Sequence, residues 1–118
     1  MVILFVEDQD EVYEFYSDAL ASAGHVVNGA ADGKQALDAI ALSKPDLVLL
    51  DLGLPFLDGY EVARQLRAND ATRRIPIVAI TGYGQDSVAQ RAKAAGCDAV
   101  LFKPCPIDDV LKEIDARK

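Results

Sequence analysis

Five polar residues interrupt an otherwise regular pattern, each standing where an apolar run stops. Glu7 and Asp8 follow Val2-Ile3-Leu4-Phe5-Val6, and Asp51 follows Leu47-Val48-Leu49-Leu50. Thr81 follows Ile77-Val78-Ala79-Ile80, and Lys103 follows Ala99-Val100-Leu101-Phe102. Short, β-branched apolar runs suit strands buried on both faces. If these strands lie parallel in one open sheet, their carboxyl ends form one edge, where such sheets bind ligands. Three carboxylates gathered there repel one another. A hard, oxygen-seeking cation offsets that repulsion. Mg²⁺ fits, with a backbone carbonyl and waters completing its octahedron, and Mn²⁺ is the alternative. Lys103 adds a fixed positive charge and Thr81 a hydroxyl. Cation, ammonium and hydroxyl together can neutralise the oxygens of a transferring phosphoryl group. Asp51, at the tip of the most plainly central strand, is then the nucleophile. Any one of these residues alone reads as a solvated turn residue. Five suitable groups at the ends of four strands do not.

The intervening segments are helical. Val12, Phe15, Tyr16, Ala19, Leu20 and Ala23 recur at three-and-four spacing and predict an amphipathic helix stopped by Gly24. Val26 and Val27 begin a second, weaker strand that ends near the turn at residues 31–33. A helix over about 34–42 should bury Leu37, Ile40 and Ala41. Leu52 to Gly59 reads as a loop, and residues 60–68 as a helix with Val62, Ala63 and Leu66 inward and Arg64 and Arg67 solvated. The fourth strand spans residues 75–80, with Pro76 tolerated at its entry. Val88, Ala92 and Ala95 mark a helix closed by Gly96, and Ile107, Val110, Leu111 and Ile114 line the last. Five β-to-α repeats in 118 residues make an α/β fold, (βα)₅, with a doubly wound parallel five-stranded sheet and helices on both faces. Residues 1–118 should form one domain, since the chain is long enough for one core and too short for two.

Composition narrows the function classes. The chain is 51% hydrophobic, which argues for a packed core, and carries 19 acidic against 12 basic side chains, a net charge of -7. That balance repels a phosphate backbone and an anionic membrane, so neither direct nucleic-acid binding nor membrane insertion is expected. Cys97 and Cys105 form no CxxC pair, and His25 has no companion ligands, so both thiols read as ordinary buried groups in a reducing compartment. The apolar start is six residues long, without a basic lead or cleavage signal, and predicts a strand in a cytoplasmic protein. No glycine-rich phosphate loop follows the first strand, where Gln9-Asp10-Glu11 stands instead, which argues against a nucleotide-binding enzyme.

The chain resembles the response-regulator receiver domains of two-component phosphorelays over essentially its whole length. The likeness rests on Phe5-Val6-Glu7-Asp8, Leu49-Leu50-Asp51-Leu52-Gly53-Leu54-Pro55, Leu57-Asp58-Gly59-Tyr60-Glu61, Ala79-Ile80-Thr81-Gly82 and Phe102-Lys103-Pro104. It implies a flavodoxin-like (CheY-like) fold with strand order 2-1-3-4-5. It implies that Glu7 and Asp8 are the metal-binding pair, Asp51 the phosphorylated aspartate, Thr81 the switch hydroxyl and Lys103 the phosphate contact. The Gly53 carbonyl matches the position that completes the metal shell, and Lys103-Pro104 matches a peptide bond that is cis in the family. The donor implied is a phosphohistidine on a histidine kinase or a histidine-phosphotransfer protein. Output to a downstream protein is implied through the last two helices and the fifth strand. The chain would assist its own dephosphorylation without being a turnover enzyme. A receiver-like scaffold that binds protein without phosphorylation is the alternative.

Some features depart from the family pattern. Glu7 replaces the commoner aspartate and adds one methylene of reach. Gly53 brings no side chain to the position that, in relatives, lies near the attacking water, while Tyr83 matches the second such position. Val100 stands where many relatives carry the aromatic switch residue, so Tyr83, Phe102 or the loop after Thr81 must carry part of the signal. The alternative for Phe102 is simple packing on the last helix. Met1 abutting the first strand fits a natural start. Arg117-Lys118 suits an end or the entrance to a linker, and the Thr81-Gly82-Tyr83-Gly84 loop is similar to receiver modules attached to hybrid histidine kinases. If Tyr83 shields the phosphoryl group, Tyr83→Ala will change the phosphoaspartate lifetime, measured by decay of the phosphorylated mass. An unchanged lifetime removes that role.

Overall fold

Among the described residues, five strands alternate with five helices: β1 (Val2–Val6), α1 (Asp10–Ser22), β2 (Val26–Ala30), α2 (Gly33–Leu42), β3 (Leu47–Asp51), α3 (Gly59–Ala68), β4 (Ile77–Thr81), α4 (Asp86–Ala95), β5 (Ala99–Phe102) and α5 (Ile107–Asp115). The computed structural model describes residues 1–82 and 86–118. All pairings are parallel and the order is β2-β1-β3-β4-β5, the expected doubly wound sheet. β3 and β4 are buried at every residue because each lies between two strands and under helices on both faces.

Pleating splits the core into two layers. Leu4, Val6, Val48, Leu50, Ile77 and Ala79 face α2, α3 and α4. Ile3, Phe5, Leu47, Leu49, Val78 and Ile80 face α1 and α5. Gly59 starts α3 against the tip of β3, where a Cβ would meet the Asp51 carbonyl oxygen at 2.5 Å. Asp58 caps the helix by accepting the Glu61 N–H at 2.9 Å.

The helical faces differ from the expectation at several positions. On α1, Tyr16 and Leu20 are buried, but Phe15 is 61% exposed, and Ala23 is the exposed C-cap residue. On α2, Ala36 rather than Ala41 joins Ile40 in the core. In both helices the inward stripe is narrower than the apolar periodicity, because a helix on an open sheet covers it with one face only. β4 begins at Ile77 and includes Thr81.

Arg67 is the largest correction: it is not solvated. Its guanidinium lies at the amino-terminal edge of β4 and β5, where Nε donates to the Gly96 carbonyl at 2.9 Å. Nη1 donates to the Arg73 and Ile75 carbonyls, both at 2.7 Å, and Nη2 pairs with Asp98 at 2.9 Å. The same Asp98 oxygen accepts the Ile77 N–H at 2.8 Å. Gly96, at φ +113°, closes α4 and lies so near the Arg67 side chain that a Cβ would collide with it. The planar, five-donor guanidinium thus satisfies loop carbonyls that periodicity cannot reveal. Arg67→Ala should lower the unfolding free energy by about 2–3 kcal/mol, read as a lower urea midpoint at unchanged slope.

Both cysteines are buried and free. Burial pushes the Cys97 thiol up to about 11 and raises Cys105, with Asp109 adding to the shift. A thiol raised on folding favours the native state below its unfolded pKa, and that contribution disappears as pH rises through the folded value. At pH 8 both thiols should resist iodoacetamide in the native protein and react once it is unfolded, as intact mass would show.

Candidate functional site

The carboxyl ends of β1, β3, β4 and β5 meet at one edge of the sheet. Strand pairing continues one residue past β1, where the Glu7 N–H donates to the Ala30 carbonyl at 2.9 Å. It continues likewise past β5, where the Lys103 N–H donates to the Thr81 carbonyl at 2.7 Å. Alternation then gives Glu7, Asp51 and Lys103 the facing of the α1/α5 layer. Glu7 and Asp51 are buried and Asp8 is exposed. Carboxylate oxygens of all three lie within 4.8 Å of one another.

Lys103 sits among them. Its ammonium donates to Glu7 and lies 3.3 Å from Asp51 Oδ2. The other Asp51 oxygen accepts the Gly53 N–H at 2.9 Å, and Glu7 Oε2 accepts the Gln9 N–H at 3.2 Å. Burial is the largest influence on Glu7 and, with the charge of Asp51, pushes its carboxyl up to about 7 against the pull of Lys103. Burial alone would lower Lys103, but its hydrogen bond to Glu7 and the charge of Asp51 outweigh that and raise it. The Lys103-Pro104 bond is cis. The turn after it is held to α1 by Tyr16, whose hydroxyl donates to the Cys105 carbonyl at 2.9 Å and accepts the Cys105 N–H at 3.1 Å.

A cleft of about 190 Å³ opens over this cluster, lined by Asp8, Gln9, Asp51, Gly53, Gly82 and Lys103. Three carboxyl groups face one ammonium, so acidic groups outnumber the basic one, and all the acidic donors are hard oxygens. That donor set fits a divalent cation such as Mg²⁺.

The structure therefore brings Asp8, Asp51, Gly53 and Lys103 around one opening, with Glu7 buried and paired to Lys103 and Thr81 buried at the neighbouring strand end. Val100 is half-buried and packs with the α2–α4 layer. Phe102 shares its facing, is 37% exposed and belongs to neither core layer. It does not pack on α5, because Ala99 and Leu101 hold that side of β5. Tyr83 lies outside the described residues. Gln9 and Gly82 line the cleft and were not singled out as site residues, although each directly follows one that was.

Among the described residues, no helix is long and apolar enough to cross a membrane. A putative response regulator from Chloroflexus aurantiacus superposes with a TM-score of 0.95 at 31% identity, covering 98% of this chain and 95% of that one. The receiver domain of the sensor histidine kinase PA1611 from Pseudomonas aeruginosa, whose active-site cleft holds a coordinated magnesium ion, gives 0.87 at 34% identity over 98% and 94%. The polar-differentiation response regulator DivK from Brucella anthropi is 30% identical over 112 residues, 95% of this chain and 91% of its own. Residues 3–115 match the response regulator receiver domain, and the chain belongs to that family.

Proposed function

We propose that this protein is a phosphoacceptor switch, taking a phosphoryl group onto Asp51 from a phosphohistidine of a histidine kinase or histidine-phosphotransfer protein. The observation that carries this reading is the convergence of Glu7, Asp8 and Asp51 with Lys103 at one strand edge. Glu7, Asp8, Asp51 and the Gly53 carbonyl would hold the cation. Bound Mg²⁺, or Mn²⁺ in its place, would supply charge neutralisation at the phosphoryl oxygens. An Asp51 carboxylate oxygen attacks phosphorus, the bond from phosphorus to the donor imidazole nitrogen breaks, and that nitrogen takes up a proton from solvent. Lys103 balances charge on the phosphoryl oxygens, and the Thr81 hydroxyl turns toward them. The modified chain is its own substrate, which sets it apart from a turnover enzyme.

Output passes to a partner protein over α4, β5 and α5. Lys93, Val100, Glu113 and Arg117 line a shallow, charged depression on that side, suited to protein contact. With Val100 at the switch position, movement of the loop after Thr81 and of α4 carries the signal, with Tyr83 and Phe102 as modulators. The net charge of -7 fits a protein that acts through protein partners and not on nucleic acid directly, and a cytoplasmic location belongs to this reading.

Incubation with Mg²⁺ and a small phosphodonor should add one phosphate, visible by intact mass. Asp51→Asn should abolish the adduct, and profiling against the histidine kinases of the source organism should find a donor for the parent alone. A mutant phosphorylated as well as the parent overturns the assignment of Asp51. A parent that binds metal yet never gains the adduct favours the scaffold.

A further inference from the structure

The cleft over Asp51 has one wall that the chemistry above leaves unused. Its lining residues sort by hydrogen-bonding capacity. Ionised Asp8 and Asp51 only accept, Lys103 only donates, and Gly53 and Gly82 bring no side chain. Among these described residues, Gln9 alone offers a side chain that both donates and accepts.

That carboxamide is also uncommitted. Gln9 is the N-cap residue of α1, yet its side chain makes no cap hydrogen bond. Among the described residues only its main chain is engaged, through the N–H to Glu7 Oε2 at 3.2 Å and the carbonyl that accepts the Tyr13 N–H at 2.9 Å. Glutamine is not among the residues that stabilise a helix start, so the helix does not account for its presence here.

We propose that Gln9 is a positioning residue for the water that hydrolyses the phosphorylated aspartate, an inference that rests on Asp51 being the phosphoacceptor. In that step the water oxygen bonds to phosphorus and the bond to the Asp51 oxygen breaks. Asp51 returns to a carboxylate, and both water protons leave with the dihydrogen phosphate. No outside proton donor is needed. The Gln9 carboxamide oxygen accepts one water O–H and orients the lone pair toward phosphorus. Holding an attacking water in line is a matter of orientation, and one well-placed hydrogen bond in the transition state is enough to matter.

Gln9→Ser and Gln9→Leu separate this role from a structural one. Serine is the better N-cap and keeps the helix start, while leucine keeps the bulk without hydrogen bonding. With Mg²⁺ and acetyl phosphate as probes, both variants should hold the phosphate roughly threefold to tenfold longer than the parent by intact mass, the effect of one hydrogen bond. Calorimetric Mg²⁺ affinity and the urea midpoint of Gln9→Ser should stay at or above the parental values. Parental lifetimes in both variants, or lengthening that only tracks weakened Mg²⁺ binding, overturn the proposal while leaving Asp51 as acceptor. A parent that never takes up phosphate removes both readings.

Discussion

Crowded negative charge at the carboxyl edge of the sheet is the constraint around which the rest is arranged. Glu7 and Asp51 are buried and, with Asp8, hold carboxylate oxygens within 4.8 Å of one another. Such a cluster stays together only if the backbone cannot give way and opposite charge lies close by. β3 supplies the rigidity, since its flanking strands and the two helix layers leave no residue exposed. Lys103 supplies the near charge, and the Tyr16 hydroxyl fixes the turn that carries it. The excess of carboxylates over ammonium, all of them oxygen donors, fits a hard cation.

The two ends of the sheet have opposite characters. At the amino-terminal edge, Arg67 and Asp98 tie the end of α3, the loop before β4 and the turn before β5 into one hydrogen-bonded knot. Both Arg67 and Asp98 face partners there. At the carboxyl edge, strong groups face a cleft. A fixed base beneath a charged rim lets a change at the rim move loops and helices without unravelling the sheet.

α4 is the element best suited to such movement. It rests on the core through Val88, Ala92 and Ala95, small side chains that bury little apolar area each. Arg91 adds a contact over the Tyr60 ring at 4.2 Å from its centroid, worth about 0.5–1 kcal/mol at an exposed position. Val100 lies under this helix without the bulk of an aromatic ring. On the proposed reading, a shift of α4 needs no aromatic ring at position 100 to rotate.

The number of strands and helices and the polar strand-end set Glu7, Asp8, Asp51, Thr81 and Lys103 were legible in the chain because each is local, whereas strand order came from the family resemblance. Apolar runs declare buried strands, glycines stop helices, and a polar residue straight after an apolar run must sit at a strand tip. Even the shared facing of Glu7, Asp51 and Lys103 follows from a side-chain period of two, once the register between strands is known. That register, and everything depending on residues far apart in sequence, belonged to the tertiary structure. Arg67 looked solvated because its partners, three carbonyls and the Asp98 carboxylate, come from two loops distant in sequence. Phe15 and Ala41 looked buried because periodicity cannot say how wide a stripe the sheet will cover. Gln9 drew notice only as a residue outside any glycine-rich phosphate loop, until the fold placed it and Asp51 on the lining of one cleft. Sequence pattern reports what each segment must bury, whereas the space around a side chain exists only after distant segments have met.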